Sequence, residues 1–464
     1  MRRLLTTCAI LALGARLAWA ASADYEGSIA DFRSLLVKLV AVDTTNPPGN
    51  EARAVTILAA RLDGEKIPYE VTEFAPGRKN LVARLAGDGS EKPLLLLAHI
   101  DVVGAEGQPW TSPPHEVTER DGFLVGRGVS DDLGMALMEL ETVVLLQRSG
   151  ARLRRDVILA FSGDEESGGA GIRWLLANQP QSLQAECAFN EGGGLRIGDD
   201  GRVSFVGLQV AEKTYQDFRI TAKGTTGHSS VPQPDNAIYR LARGLERLGA
   251  HRFPPRMLPV TRAYFRARAA VEPPPLAAAL RTAAASKGAV PAAAIATIEK
   301  NPVLDAALRT TCVATMVSGG TRANALPAEA QTIVNCRILP DESIDDVAHA
   351  LANVIGDPGL SVEQLEPFGS GPASDLEGTA PAAVAKIATE MWPAAPVIPI
   401  LSLGGTDSRF LRARGIPTYG LSPIALTEAD ARRAHGVDER IPLASLRAGI
   451  EFFHRLVLEL AAAR

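Results

Sequence analysis

Through its first half the chain alternates short apolar runs with longer stretches of helical periodicity. The runs at 80–86, 93–98, 156–161 and 186–189 are bounded by Gly, Pro or charged residues, as short buried strands require. Between them, residues 29–42, 51–62, 132–147 and 171–178 repeat apolar side chains at helical spacing. This alternation predicts βαβ units and a mostly parallel sheet.

The pattern changes after about residue 212. Residues 217–223 alternate polar and apolar, with Phe218, Ile220 and Ala222 on one face, and 332–339 is a second β-rich run. Ala-rich helical sequence at 275–286 and 290–299 lies between them. An antiparallel sheet with helices on one face is predicted there, as an inserted α+β domain. The first pattern resumes near Gly371, with a helix at 381–392, a strand at 397–401 and a terminal helix at 443–460. The predicted fold is therefore α/β, with a discontinuous main domain (24–212 and 367–464) interrupted by an insertion (213–366).

Composition adds bounds to this picture. A chain of 464 residues exceeds one ordinary core, and 46% hydrophobic with 22% charged residues is a globular balance. A net charge of -5 gives no electrostatic reason to expect nucleic acid or an anionic membrane as partner. Residues 1–23 read as a cleavable signal peptide. Arg2 and Arg3 precede an apolar stretch at 4–13 that Gly14 and Arg16 cut well short of the roughly 20 residues a membrane span needs, and small-residue cleavage sites follow at 18–20 and 21–23. A secreted or periplasmic protein without a stable membrane anchor is expected. Beyond that segment Cys187, Cys312 and Cys336 cannot build a disulfide framework and lack C-x-x-C spacing. Buried free thiols are predicted, Cys312 and Cys336 being the pair that neighbouring strands could bridge.

Five clusters of His or acid stand where strands run into loops. His99 and Asp101 follow the apolar run 93–98, at the carboxyl end where open α/β sheets place their sites. Asp131 and Asp132 close a Gly-rich turn before a helix, where one carboxylate can cap and another ligate. Asp164, Glu165 and Glu166 crowd like charges that a cation or a proton must offset. Adjacent glutamates suit a division of labour, one binding metal and one acting as base. Glu191 leaves another strand, and His435 lies in a loop before the last helix. Two imidazoles (His99, His435) and three carboxylates (Asp131, Glu166, Glu191), one of them bridging, provide three ligands for each of two divalent ions.

The run from His99 to Val103, the pair Trp110 and Pro113-Pro114, GRGVSDD at 126–132, DEES at 164–167, NEGGG at 190–194, GHSSVP at 227–232, GGTDSR at 404–409 and AHGVDERI at 434–441 together resemble the M20 family of zinc metallopeptidases, above all its carboxypeptidase S and N-acyl-amino-acid hydrolase branch. The resemblance implies a zinc-hydrolase catalytic domain with an inserted lid that dimerises. It implies two Zn2+ per chain, with Co2+ or Mn2+ as substitutes. Asp131 would bridge, His99 and Glu191 would complete one site, and Glu166 and His435 the other. Glu165 would be the general base, Asp101 would orient His99, and His228 would stabilise the oxyanion. Asn324, Arg409 and Arg337 would bind substrate. Leu133 and Gly104 depart from the family's usual Lys and Pro, and neither is a ligand position.

The expected function is an exported dinuclear zinc amide hydrolase of carboxypeptidase or dipeptidase type. It would cleave a small peptide next to its C-terminal amino acid by a metal-bound hydroxide. An N-acyl-amino-acid amidohydrolase uses the same residues and stays open. A non-catalytic binding protein on the same fold is the remote alternative.

Overall fold

Leu94–His99 is buried along its whole length and lies inside a nine-stranded sheet. In the computed structural model the described residues are 23–198, 200–366 and 369–463, so most of the predicted signal peptide lies outside them. Two compact units are present. The first comprises residues up to Val210 together with Ser374–Ile400 and Thr406–Arg464, and the second comprises Ala211–Ala373 with Leu401–Gly405.

The large sheet runs in the order Tyr69–Ala75, Arg78–Leu85, Val157–Ser162, Leu94–His99, Cys187–Asn190, Thr418–Gly420, Val203–Glu212 and Val397–Ser402, with Gly194–Ile197 paired to Val203–Glu212. Its centre is parallel: Leu94–His99 pairs with Val157–Ser162 from Leu94↔Val157 to His99↔Ser162, and with Cys187–Asn190 on its other edge. Antiparallel strands flank that centre on both sides. Because parallel neighbours point the same way, His99, Ser162 and Asn190 end their strands at one edge of the sheet. Whatever the following loops carry is gathered there.

The helix Leu133–Ser149 explains how the middle of the sheet stays dry. It is buried on nearly every side, packed between Tyr25–Ala41, Leu443–Ala461 and the sheet, and Gly150 ends it in the left-handed conformation. A helix apolar all round belongs inside a large core. The predicted mostly parallel α/β architecture is observed, with element ends moved by a few residues. Tyr69–Ala75, Gly194–Ile197 and Val203–Glu212 are strands the hydropathy pattern did not reveal.

In the second unit a four-stranded antiparallel sheet runs in the order Thr311–Gly319, Glu329–Ile338, Thr214–Lys223, Leu360–Gln364. Phe218, Ile220, Val334 and Ile338 form a core there with Leu241 from Ala237–Ala250 and with Val347, Leu351 and Ile355 from Ile344–Ile355. The Ala-rich helices Pro259–Arg268, Pro274–Ala285 and Ala292–Ile298 pack in sequence against one another. Separately, Gly227–His228 pairs with Ala325–Leu326 in a two-stranded ribbon. The expectation of three free thiols is corrected: Cys312 and Cys336 are joined, while Cys187 is free and buried. The reason is register, since Cys312 lies directly opposite Cys336 with their Cα atoms 4.1 Å apart. Among the described residues no helix is long and apolar enough to cross a membrane.

The bridge closes a loop with a sequence separation of 24, which in the chain-entropy account is worth ~3 kcal/mol. Replacing both cysteines by serine should therefore lower the denaturant midpoint of the full chain, and reductant should do the same to the parent. A parent midpoint indifferent to reductant would contradict the bridge.

Candidate metal centre

His99, at the end of its strand, is 2% exposed. Its Nδ1 meets the backbone oxygen of Asp101 at 2.9 Å. A carbonyl only accepts, so Nδ1 carries the proton and Nε2 presents a lone pair. That Nε2 lies 3.1 Å from Asp131 Oδ1 and 3.9 Å from Glu191 Oε1. His435 Nε2 lies 3.2 Å from Asp131 Oδ2 and 3.1 Å from Glu166 Oε2. The two oxygens of Asp131 thus face two different donor triads, and within each triad the ligand atoms lie within 4.8 Å of one another. All five residues belong to the first unit.

The loops that carry these groups are held by carboxylates that are not themselves donors. The Asp101 carboxylate, fully buried, accepts from the main-chain N–H of Glu165 at 3.1 Å and of Glu166 at 3.2 Å, and from Asn46 Nδ2 at 2.7 Å. It stands 3.7 Å from His99 Nδ1, so the imidazole is oriented by the Asp101 backbone while the side chain fixes the acid loop. Asp164 sits at φ +70 and accepts from Asn46, Arg78 and Ala170 N, which shapes the same turn. Asp132 accepts from His99 N at 3.3 Å, and the peptide joining it to Asp131 is cis. Asp164 was read from the sequence only as one of three crowded acids, and Asn46 was not singled out at all. Asn46 lies in a Pro-rich turn with no hydropathy signal, and only its burial marks it.

Glu165 and Asp407 add charge to the same edge. Arg409 Nη1 stands 3.8 Å from Glu165 Oε1, donates to Thr406 O at 2.8 Å, and its guanidinium lies over the Phe410 ring at 4.4 Å. Asp407 accepts from Ser162 Oγ at 2.8 Å, and burial pushes its carboxyl up to about 6. Burial likewise pushes Glu165 and Glu191 well above the ordinary carboxylate range and raises Glu166. Asp131 goes the other way, because bonds to His435 and His99 outweigh its burial. The same contacts with Asp131 and Glu166 raise His435 to about 10. One oxygen of Glu166, Oε1, is buried with no partner.

These features fit divalent cations. The donors are imidazole nitrogen and carboxylate oxygen, a set that suits zinc, cobalt or manganese. Each triad leaves coordination positions for water and substrate, as catalytic sites require. His99, Asp131 and Glu191 would hold one ion, and Asp131, Glu166 and His435 the other.

The remaining predicted residues belong to the second unit. His228 is exposed on the two-stranded ribbon, and its Nδ1 accepts from Ser230 N at 3.1 Å, which places the ring proton on Nε2. Asn324, also exposed, precedes the Ala325 that pairs with His228, and its carbonyl accepts from Ser229 N. Arg337 lies over the Tyr215 ring at 4.5 Å and donates to Asn335 Oδ1 at 3.2 Å.

The raised imidazole sets a pH dependence. A histidine whose folded pKa exceeds its unfolded value contributes stability that is fully present below about 6.5 and lost as pH rises through about 10. The chelated protein should therefore melt at progressively lower temperature across that window, and ion binding, which displaces the proton, should tighten with pH. Thermal melts with chelator and with Zn2+ over a pH series check this. A chelated protein whose melting temperature rises across the window would contradict it.

The sequence pattern of Peptidase family M20/M25/M40 matches residues 95–459. Human N-fatty-acyl-amino acid synthase/hydrolase PM20D1 is 29% identical over 400 residues, covering 84% of this chain and 78% of the human protein. Probable carboxypeptidase S-like 2 of Dictyostelium discoideum is 27% identical over 384 residues, covering 80% and 72%. Among solved structures, the M20 family metallo-carboxypeptidase Sso-CP2 of Sulfolobus solfataricus superimposes with a TM-score of 0.71 at 19% identity over 92% of this chain and 98% of that one, a likeness of fold. With a match that spans most of its length and both donor triads in place, the chain belongs to the M20/M25/M40 peptidase family.

Proposed function

We propose that this M20 hydrolase is an exported, dinuclear metal-dependent amide hydrolase. It would cleave the bond that joins an acyl group to an amino acid bearing a free carboxylate. The observation that carries the reading is the placement of Asp131 Oδ1 and Oδ2 in separate triads beside a main chain that holds Glu165 on Asp101. Two bound ions, zinc by first choice, supply Lewis acidity toward the scissile carbonyl and the attacking water.

The rest of the mechanism belongs to the chain's own groups. Glu165, with Oε1 3.8 Å from Arg409 Nη1, takes a proton from the attacking water and returns it to the leaving nitrogen. Nε2–H of His228 is a donor suited to the oxyanion, since Nδ1 is committed to Ser230. Asn324 and, more weakly, Arg337 are proposed to contact the substrate. Arg409, buried against Glu165, is better placed to steady the base than to clamp a ligand.

A small peptide is the first substrate reading. An N-acyl amino acid is the second, favoured by the name of the human relative. The Cys312–Cys336 bridge supports export to an oxidising compartment. A homodimer through the second unit is supported by its edge strand Thr311–Gly319, which exposes Val313, Met316 and Val317.

The test combines metal analysis with a panel of dipeptides and N-acyl amino acids. Two ions per chain and release of the C-terminal amino acid are expected. Glu165→Gln should keep both ions while kcat falls on the order of 10²- to 10⁴-fold. Parental turnover in Glu165→Gln, or activity that survives exhaustive chelation, would overturn the mechanism.

A further inference from the structure

Arg127 and Glu439 form a buried ion pair that no step above uses. They are 1% and 0% exposed, and Arg127 Nη1 donates to Glu439 Oε2 at 2.8 Å. The same carboxylate accepts from Gly128 N at 3.0 Å on Oε2, and on Oε1 from Ser130 N at 2.8 Å, Ser130 Oγ at 3.0 Å and Asp131 N at 3.0 Å. The backbone oxygen of Glu439 receives Gly126 N as well. The turn that presents the bridging Asp131 is therefore built around one side chain of the loop that presents His435.

Arg127 returns the connection. Its Nη2 donates to Gly436 O at 3.2 Å and to Gln108 Oε1 at 2.9 Å, and its guanidinium lies 5.0 Å from the centre of the Trp110 ring. Gln108 Nε2 in turn donates to His435 O at 3.0 Å. His435 and Asp438 hold φ values of +63 and +53, a region that residues with a side chain seldom adopt and keep only when their surroundings impose it. The bonds to Gly436 O and His435 O, and those from Thr111 to the Asp438 carboxylate, are the imposing contacts.

A buried ion pair is a poor source of net stability, because desolvation offsets most of the Coulomb gain. Its use here is geometric. We propose that Glu439 and Arg127 are positioning residues that lock the Asp131 turn to the His435 loop and so set the affinity of the Asp131/Glu166/His435 site for its ion. This rests on the two-ion reading. The His99 side is anchored independently, by its strand and by the Asp101 backbone, so the clamp governs one site more than the other.

The experiment titrates the chelated full-length protein with Zn2+ against a chromophoric competitor, in the parent and in Glu439→Gln, Arg127→Met and Arg127→Lys. Two ions should bind the parent. In Glu439→Gln and Arg127→Met one ion should keep its affinity while the other weakens by roughly 10- to 100-fold, the usual effect of losing a group that orients a ligand. Arg127→Lys, which keeps a charge beside Glu439, should lose less than Arg127→Met. If Glu439→Gln does not fold, the two Arg127 variants carry the same comparison. A parent that binds fewer than two ions overturns the dinuclear reading, and the clamp with it. A two-ion parent whose variants bind both ions unchanged, or lose both equally, overturns the clamp alone, and equal loss assigns the pair a general structural role.

Discussion

Mutual repulsion among carboxylates confined at one edge of a dry sheet is the constraint on which the centre depends. Two unit charges about 4 Å apart repel by roughly 4 kcal/mol at the effective dielectric of a protein surface, and burial adds a desolvation cost for each. Asp131, Glu165, Glu166 and Glu191 share this volume with two imidazoles. Burial, and then the neighbouring acids, push Glu166 and Glu191 up, and bonds to Asp131 and Glu166 push His435 up. Divalent cations would answer the charge that remains.

Hydrogen-bond donors sort the acids of this region into two kinds. Asp101 and Glu439 are fully buried, yet each is surrounded by N–H groups of the main chain and by a donor side chain, so their charge is already solvated by protein. Glu166 leaves Oε1 with no partner, and Glu191 comes only within 3.9 Å of His99. The first kind fixes loops, and the second has oxygens that a cation could take. The distinction explains why an Asp two residues from a histidine of one donor triad stands outside that triad: its oxygens are committed to the amides of Glu165 and Glu166.

What the sequence made legible follows from the same physics. A run such as 93–98 must be buried on both faces, so its carboxyl end was readable as a site, and Leu94–His99 confirms the placement. The parallel centre and the helical insertion were readable for similar reasons. Tyr69–Ala75 was not, because it is a half-exposed strand whose polar residues imitate a loop. The candidate pair Cys312 and Cys336 was legible but its pairing was not, because that depends on register between two strands, which hydropathy does not encode. Glu439 was hidden in plain view, one more acid beside Asp438, since nothing in a linear motif tells a carboxylate that will meet four main-chain and side-chain donors and an arginine from one that faces solvent.

The order of the ligands along the chain gives that last carboxylate its importance. His99, Asp131, Glu166 and Glu191 arrive before the second unit interrupts the chain, and all but Asp131 follow closely on strands of one sheet. His435 arrives after it, on a loop with two residues in the left-handed region, and has no strand of its own to fix it. A half-site carried on such a loop needs an attachment to the half that the strands hold. Glu439 makes one to Asp131, from 308 residues away, through the main-chain N–H of the very residue that both ions would share.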